Sequence, residues 1–73
     1  MSAIGQNIKL CRERLNLTQE ELAFKMRVGP NTIEKYESGQ KVPNTQTILK
    51  FSTVLDVPAS ELMEQAYQPR ILQ

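Results

Sequence analysis

The sequence contains no histidine and only one cysteine, Cys11. One cysteine cannot close a disulfide within the chain, and without histidine the usual Cys/His zinc site and every histidine-dependent catalytic arrangement are excluded. No apolar run approaches the roughly 20 residues that a membrane helix needs, and polar residues interrupt the N-terminus where a signal peptide is apolar. We therefore expect no metal, no cofactor, no enzymatic activity, no membrane association and a reducing, cytoplasmic location.

The chain has 73 residues, of which 40% are hydrophobic and 23% charged, a composition typical of one small globular domain. A chain this short buries only about 60% of the surface that its unfolded form exposes. Its apolar residues can close one core but leave no second lobe for a deep cleft, so we expect no small-molecule ligand inside the chain. The formal net charge of +1 is only a weak argument for a nucleic-acid partner.

Apolar spacing and capping signals predict five short helices. Apolar residues at spacings of four, three and four predict a first helix over about 3–15. Thr18 and Glu21 have the form of a capping box that opens the second helix, and Pro30 opens a third over about 30–38, with Gly39 after its last turn.

A fourth helix is predicted over about 45–55 behind the N-cap Asn44, and a fifth over 59–66, followed by a patternless tail over 67–73. Helices this short are marginal alone, so residues 1–66 must form one domain around one core. The predicted core residues are Ile8, Cys11, Leu15, Leu22, Ala23, Met26, Val28, Ile33, Tyr36, Ile48, Phe51, Leu55, Val57 and Leu62.

The run Thr18-Gln19-Glu20-Glu21-Leu22-Ala23 is followed by Val28, Thr32-Ile33, Glu37, Gly39, Pro43 and Phe51-Ser52-x-x-Leu55-x-Val57. Over about residues 4–63 this pattern resembles the Cro and phage-repressor (Xre-type) helix-turn-helix family. The resemblance implies an all-α, five-helix, lambda-repressor-like DNA-binding domain with the helix-turn-helix over about 18–38. The second helix of such a motif lies in the major groove and presents its N-terminal residues to base edges.

Helical spacing, taken without the resemblance, predicts that the third helix is polar on the side opposite Ile33 and Tyr36. The predicted base contacts on this side are Pro30, Asn31, Thr32, Glu34 and Lys35. An Asn amide pairs with adenine N6 and N7, a Lys ammonium reaches guanine or a phosphate, and a Thr methyl meets thymine. The alternative interpretation is the ordinary solvated side of a helix.

The predicted phosphate contacts are Gln19, Arg27, Ser38, Gln40, Lys41, Asn44 and Thr45. The resemblance implies this role for Gln19 and for the start of the fourth helix, and unpaired N–H groups at helix N-termini favour an anion. Each residue could instead be a cap or a surface residue, and Asn44 can serve in both roles. Lys9 and Arg14 are interpreted as solvated charges.

The resemblance also implies an ion pair between Arg12 and Glu37. We expect it to fix the angle of the third helix rather than to add stability, since buried ion pairs roughly break even against apolar substitutes. Arg27 and Asp56 stand where the family often has left-handed glycines, and Gly29 replaces the frequent Ser/Thr cap. A left-handed arginine costs about 1 kcal/mol.

A single module buries about 600–1,000 Å² on DNA, which is small for specific binding, so a homodimer on a palindromic operator is expected. The candidate dimer contacts are Met63, Ala66, Tyr67, Ile71 and Leu72, although the tail residues could equally be disordered. Phe24 is an apolar residue without a clear place. The predicted function is a sequence-specific transcriptional regulator of the repressor type that binds double-stranded DNA, and the alternative is a protein-interaction adaptor or antitoxin-like module on the same fold.

Overall fold

The structure is a computed structural model that describes residues 3–63, with side chains from residue 4 onward. The chain order is α1 (Ala3–Arg14), α2 (Gln19–Met26), α3 (Pro30–Ser38), α4 (Thr45–Leu55) and α5 (Ala59–Met63). The described range holds these five helices and no strand, so the all-α, five-helix prediction is confirmed. The predicted end of the fifth helix, residues 64–66, and the tail over 67–73 lie outside the described residues.

Side chains cap α2 and α4 where the sequence predicted caps. Thr18 and Glu21 form a capping box, in which the Thr18 hydroxyl accepts from the Glu21 N–H at 3.0 Å and the Glu21 carboxylate accepts from the Thr18 N–H at 2.8 Å. The Asn44 side-chain oxygen accepts from the Thr47 N–H at 2.8 Å. These bonds satisfy N–H groups that the first helical turn leaves without an intrahelical partner.

Four residues adopt the left-handed conformation that reverses the chain between helices. Gly39 (φ 87°), Arg27 (φ 63°) and Asp56 (φ 58°) follow α3, α2 and α4, as predicted. Asn16 (φ 59°), in the turn between α1 and α2, was not predicted. Asparagine and aspartate tolerate this region well, whereas arginine does so at a cost of about 1 kcal/mol.

All five helices contribute to one core, in which Phe51 of α4 is the bulkiest completely buried side chain. The Tyr36 ring packs edge-on against Phe51, with ring centroids 5.6 Å apart and ring planes at 83°. The buried hydrophobic residues of the described chain are Ile8, Cys11, Leu22, Ala23, Met26, Ile33, Tyr36, Ile48, Phe51, Leu55 and Leu62, all of them predicted. The predicted core residues Val28 and Val57 pack against this cluster partly buried.

Leu15 was wrongly predicted to be in the core, since its side chain is 45% exposed. The helix ends at Arg14, and the left-handed Asn16 turns the chain immediately afterwards. Leu15 therefore leaves the apolar stripe of α1, and Leu17, on the far side of the turn, packs partly buried against the core instead.

Asn7 and Cys11 of α1 are both buried. The Asn7 amide donates to the Leu62 carbonyl at 2.8 Å and ties α1 to α5. Cys11 is buried, and this burial raises the pKa of its thiol, so the thiol stays neutral and packs as a small hydrophobe.

The first turn of α1 lies directly against the C-terminal carbonyls of α3. A Cβ added at Gly5 would lie 2.3 Å from the Tyr36 carbonyl oxygen and 2.9 Å from that of Glu37. Both distances are under 3.0 Å, which Cβ atoms in real structures essentially never show, so glycine permits an approach of the two helices that a side chain would prevent. None of the described helices is long and apolar enough to cross a membrane.

Candidate nucleic-acid interface

The outward side of α3 is open. Asn31, Glu34 and Lys35 are exposed and Thr32 is half-buried, whereas Ile33 on the opposite side is completely buried. Among the described residues, no hydrogen bond or ion pair engages these four polar side chains. Pro30, also exposed, opens the helix at its first position. The polar groups of this side are therefore available to a ligand.

A buried ion pair holds the inner side of α3 at its C-terminal end. Arg12 donates through Nε to Glu37 Oε2 at 2.6 Å and through Nη2 to Glu37 Oε1 at 3.1 Å, so the predicted pair is present and bidentate. A third bond, from Arg12 Nη1 to the Leu17 carbonyl at 2.7 Å, includes the α1–α2 turn. The hydrogen bond to Glu37 raises the pKa of Arg12, against the opposing effect of burial, so the guanidinium remains charged.

Gln19 belongs to the same network. Its amide nitrogen donates to Glu37 Oε1 at 3.0 Å, which joins the N-terminus of α2 to the end of α3. A Gln amide has two hydrogens, so one remains for another acceptor. The contact with Glu37 was not predicted, and the phosphate contact proposed for Gln19 stays a prediction.

The connector after α3 folds back onto the end of that helix. Ser38 donates through its hydroxyl to the Lys35 carbonyl at 3.2 Å and accepts from the Gln40 N–H at 3.5 Å. The Lys41 N–H also donates to the Lys35 carbonyl, at 3.1 Å, and its ammonium lies 5.7 Å from the centroid of the Tyr36 ring. This ring contact favours a position of the Lys41 charge beside the end of α3.

The remaining predicted phosphate contacts lie at two helix ends. Arg27 is exposed in the turn between α2 and α3, and Asn44 and Thr45 are exposed at the start of α4. The capping role of Asn44 is present in the structure. Their contacts with phosphate stay predictions.

Lys9, which the sequence analysis interpreted as a solvated charge, lies close to the outward side of α3. A shallow polar cleft between α1, α2 and α3 is lined by Lys9, Arg12, Gln19, Glu34, Glu37 and Ser38. The available signal was the spacing of three residues between Lys9 and Arg12, which puts both on one side of a helix. Lys9 therefore adds a positive charge beside the outward side of α3.

Two other predictions concern the rest of the described surface and the C-terminus. Met63 is 52% exposed at the end of α5, while the other candidate dimer contacts, Ala66, Tyr67, Ile71 and Leu72, lie outside the described residues. Within the described range, no group of three or more Cys, Asp or Glu side chains is placed to hold a metal ion.

Two packed helices joined by a turn over residues 27–29, the second with an open polar side, form a helix-turn-helix. The helix-turn-helix family model matches residues 8–62. The chain belongs to this family, and specifically to its Cro and phage-repressor type, as its sequence pattern indicated.

Among curated proteins, the chain is similar to multiprotein-bridging factor 1 of Candida albicans, with 40% identity over 55 residues, which are 75% of this chain and 36% of that protein. It is also similar to the HTH-type transcriptional regulator ImmR of Bacillus subtilis, with 33% identity over 61 residues, 84% of this chain and 48% of that protein. The chain thus spans between about a third and a half of the length of these two relatives.

Among solved structures, the P22 c2 repressor in complex with a synthetic operator superposes with a TM-score of 0.79 at 23% identity, covering 88% of this chain and 97% of that one. This likeness establishes the phage-repressor fold.

Proposed function

We propose that this chain binds double-stranded DNA, reads its sequence with the outward side of α3, and acts as a transcriptional regulator of the repressor type. The observation that carries the proposal is the contrast between the two sides of α3. Its inner side is fixed by the core and by the bidentate Arg12–Glu37 pair, while its outer polar side chains have no partner within the described chain. A fixed helix with free donors and acceptors suits base recognition, because little conformational entropy is lost on binding.

The dimensions of α3 fit the major groove. An α-helix with its side chains is about 10–12 Å across, and the major groove is about 12 Å wide, so the groove admits a helix such as α3. Asn31 and Lys35 are four residues apart, so their side chains lie one above the other, about 6 Å apart along the helix, within reach of neighbouring base pairs.

Each exposed side chain has a preferred base partner. Asn31 is assigned to adenine and Lys35 to guanine, because their donors and acceptors match those edges. Glu34 accepts from cytosine N4, and the methyl group of Thr32 contacts a thymine methyl. Pro30 has no N–H, so it contributes apolar contact only.

Groups around the edge of this side are assigned to phosphates. They are Lys9, the remaining amide hydrogen of Gln19, Arg27, Ser38, Gln40, Lys41 and the start of α4 at Asn44 and Thr45. In this arrangement Glu37 orients Gln19, and α1 supplies the extra charge of Lys9. Such contacts set the position of the domain on the duplex without reading sequence.

Two copies related by a two-fold axis place their recognition helices about 34–36 Å apart, one turn of DNA, so the operator is palindromic. Met63, exposed at the C-terminal end of the described chain, is assigned to this dimer contact together with the predicted residues beyond it.

Selection of bound duplexes from a random library tests the proposal. The expected result is an enriched palindromic motif. Asn31→Ala and Lys35→Ala should each cost about 1–3 kcal/mol and relax selectivity at one base pair. Lys9→Ala should weaken binding to all sequences alike and reduce the slope of log affinity against log salt by about one. Lys50→Ala removes the same charge from an exposed position of α4 outside this cleft and is the matched control.

Failure to enrich any motif, or unchanged selectivity in both α3 variants, contradicts the assignment. It would favour a second candidate function, a protein-interaction adaptor. The 40% identity to a protein named as a multiprotein-bridging factor supports that candidate.

A further inference from the structure

Phe24 is the most exposed large hydrophobic residue in the described chain, at 83%, whereas the other exposed residues of this kind lie between 45% and 64%. It projects from α2 and has no place in the core. Burying a phenylalanine side chain strengthens an association by about tenfold to a hundredfold. An uncovered Phe24 is therefore a candidate contact residue.

The surroundings of Phe24 are ordered by charge. The side chain borders an open depression, here called the α2 surface, which is lined by Leu17, Glu20, Glu21, Phe24, Lys25 and Arg27. Its acidic residues lie toward the N-terminal end of α2 and its basic residues toward the C-terminal end, with Phe24 between them. The α2 surface shares no residue with the polar cleft beside α3.

Along α2, the α2 surface is acidic at one end, apolar in the middle and basic at the other end. It is therefore complementary to the α2 surface of a second copy that runs in the opposite direction. We propose that the α2 surface is a contact between two copies of this chain, whose α2 helices lie antiparallel. An α-helix rises about 1.5 Å per residue, so a two-fold axis level with residue 23 sets Glu21 of one copy opposite Lys25 of the other. The two Phe24 rings then lie about 3 Å apart along the helix direction, which suits offset stacking.

A partner of the α2 surface needs a basic end, an apolar middle and an acidic end that face the opposite charges. The α2 surface of a second copy, turned end for end, has this order of charges, so we assign the partner as a second copy. A two-fold contact uses each ion pair twice, Glu21 with Lys25 and Lys25 with Glu21. A contact built on one aromatic residue is weak, with a dissociation constant on the order of 1 mM. Copies bound at neighbouring operators on one DNA molecule reach a comparable effective concentration, so the contact makes binding to adjacent operators cooperative. This consequence depends on the proposed DNA binding, whereas the contact itself does not.

The first test measures ¹⁵N amide shifts of the 73-residue chain without DNA as its concentration is raised to about 1 mM. The expected result is a set of concentration-dependent shifts centred on α2. Phe24→Ala should raise the dissociation constant at least about tenfold. Leu49→Ala, at a 53% exposed leucine of α4, should leave it unchanged. Wild-type spectra that do not change with concentration, or α2 shifts that persist in Phe24→Ala, overturn the proposal.

The second test exploits the predicted charge pairing. Lys25→Glu and Glu21→Lys each place like charges opposite each other in a self-pair, so each variant alone should lose the α2 shifts. Mixing the ¹⁵N-labelled Lys25→Glu chain with the unlabelled Glu21→Lys chain should restore them. Circular dichroism verifies that both variants fold, and Glu21→Gln, which preserves the capping box, checks the loss of charge separately. A mixture that stays monomeric, or α2 shifts that arise only with an unrelated protein, refutes pairing between copies.

Discussion

Gly5→Ala tests how the position of α3 is set. The added methyl carbon would lie 2.3 Å from the Tyr36 carbonyl oxygen, whereas weak carbon–oxygen contacts in proteins lie at about 3.3–3.6 Å. α1 must therefore move away from α3 by about 1 Å. This displacement stretches the 2.6 Å Arg12–Glu37 bond that joins the same two helices.

Overpacking of this kind costs about 1–3 kcal/mol of stability. Because the contact is with rigid backbone, we expect Gly5→Ala to lose about 3 kcal/mol to overpacking. Alanine has the better helix propensity, and this offsets about 1 kcal/mol of the loss. We expect a net loss of about 2 kcal/mol from a total stability of about 4–11 kcal/mol. The melting temperature, followed by circular dichroism at 222 nm, should fall by about 8–16 °C.

Gly29→Ala is the matched control, because a Cβ there meets nothing within 4 Å and Gly29 has an ordinary φ of −73°. Its stability should stay within about 0.5 kcal/mol of the wild type. If Gly5→Ala melts like Gly29→Ala, the close approach does not constrain the two helices, and the reasoning is wrong.

Two further predictions concern the turn and the ion pair. Arg27→Gly should raise stability by about 0.5 kcal/mol in thermal melts, because glycine adopts the left-handed conformation without strain. The control Lys25→Gly, inside α2, should lower stability by about 1 kcal/mol. An Arg27→Gly chain that is less stable than the wild type contradicts the strain argument. In urea denaturation, Arg12→Ala should lower the free energy of unfolding by about 3–5 kcal/mol, because it leaves the Glu37 carboxylate buried without its charge partner. The double variant Arg12→Met with Glu37→Met should recover most of that loss. A double variant as unstable as Arg12→Ala would show that the pair itself stabilises the fold.

The helices were predictable because their signals are local. The capping box at Thr18, the proline at Pro30 and the N-cap at Asn44 each act within one turn, and the structure starts α2, α3 and α4 where they indicate. The apolar stripes predicted the core for the same reason. Leu15 failed because the stripe continues through the end of α1, and only the left-handed Asn16 shows where the chain leaves it.

Contacts between distant segments were less accessible to sequence reasoning. Gly5 carries no local signal, since its role depends on two carbonyls more than 30 residues later in the chain. The hydrogen bond of Gln19 to Glu37 depends equally on how α2 lies against α3. Arg12 and Glu37 were paired only through the family resemblance, because spacing alone does not identify partners 25 residues apart.

The structure separates what holds α3 from what α3 presents. Its position depends on Ile33 and Tyr36 in the core and on Glu37, none of which faces outward. The side chains of the outward residues Asn31 and Lys35 have no hydrogen-bond or ion-pair partner within the described range, so their substitution removes no internal hydrogen bond or ion pair. Under the proposed base contacts, substitutions at these two positions should change base preference with little effect on stability. A change on the inner side should instead tilt the whole helix and, under the same proposal, weaken binding to all sequences, because it moves every outward side chain together.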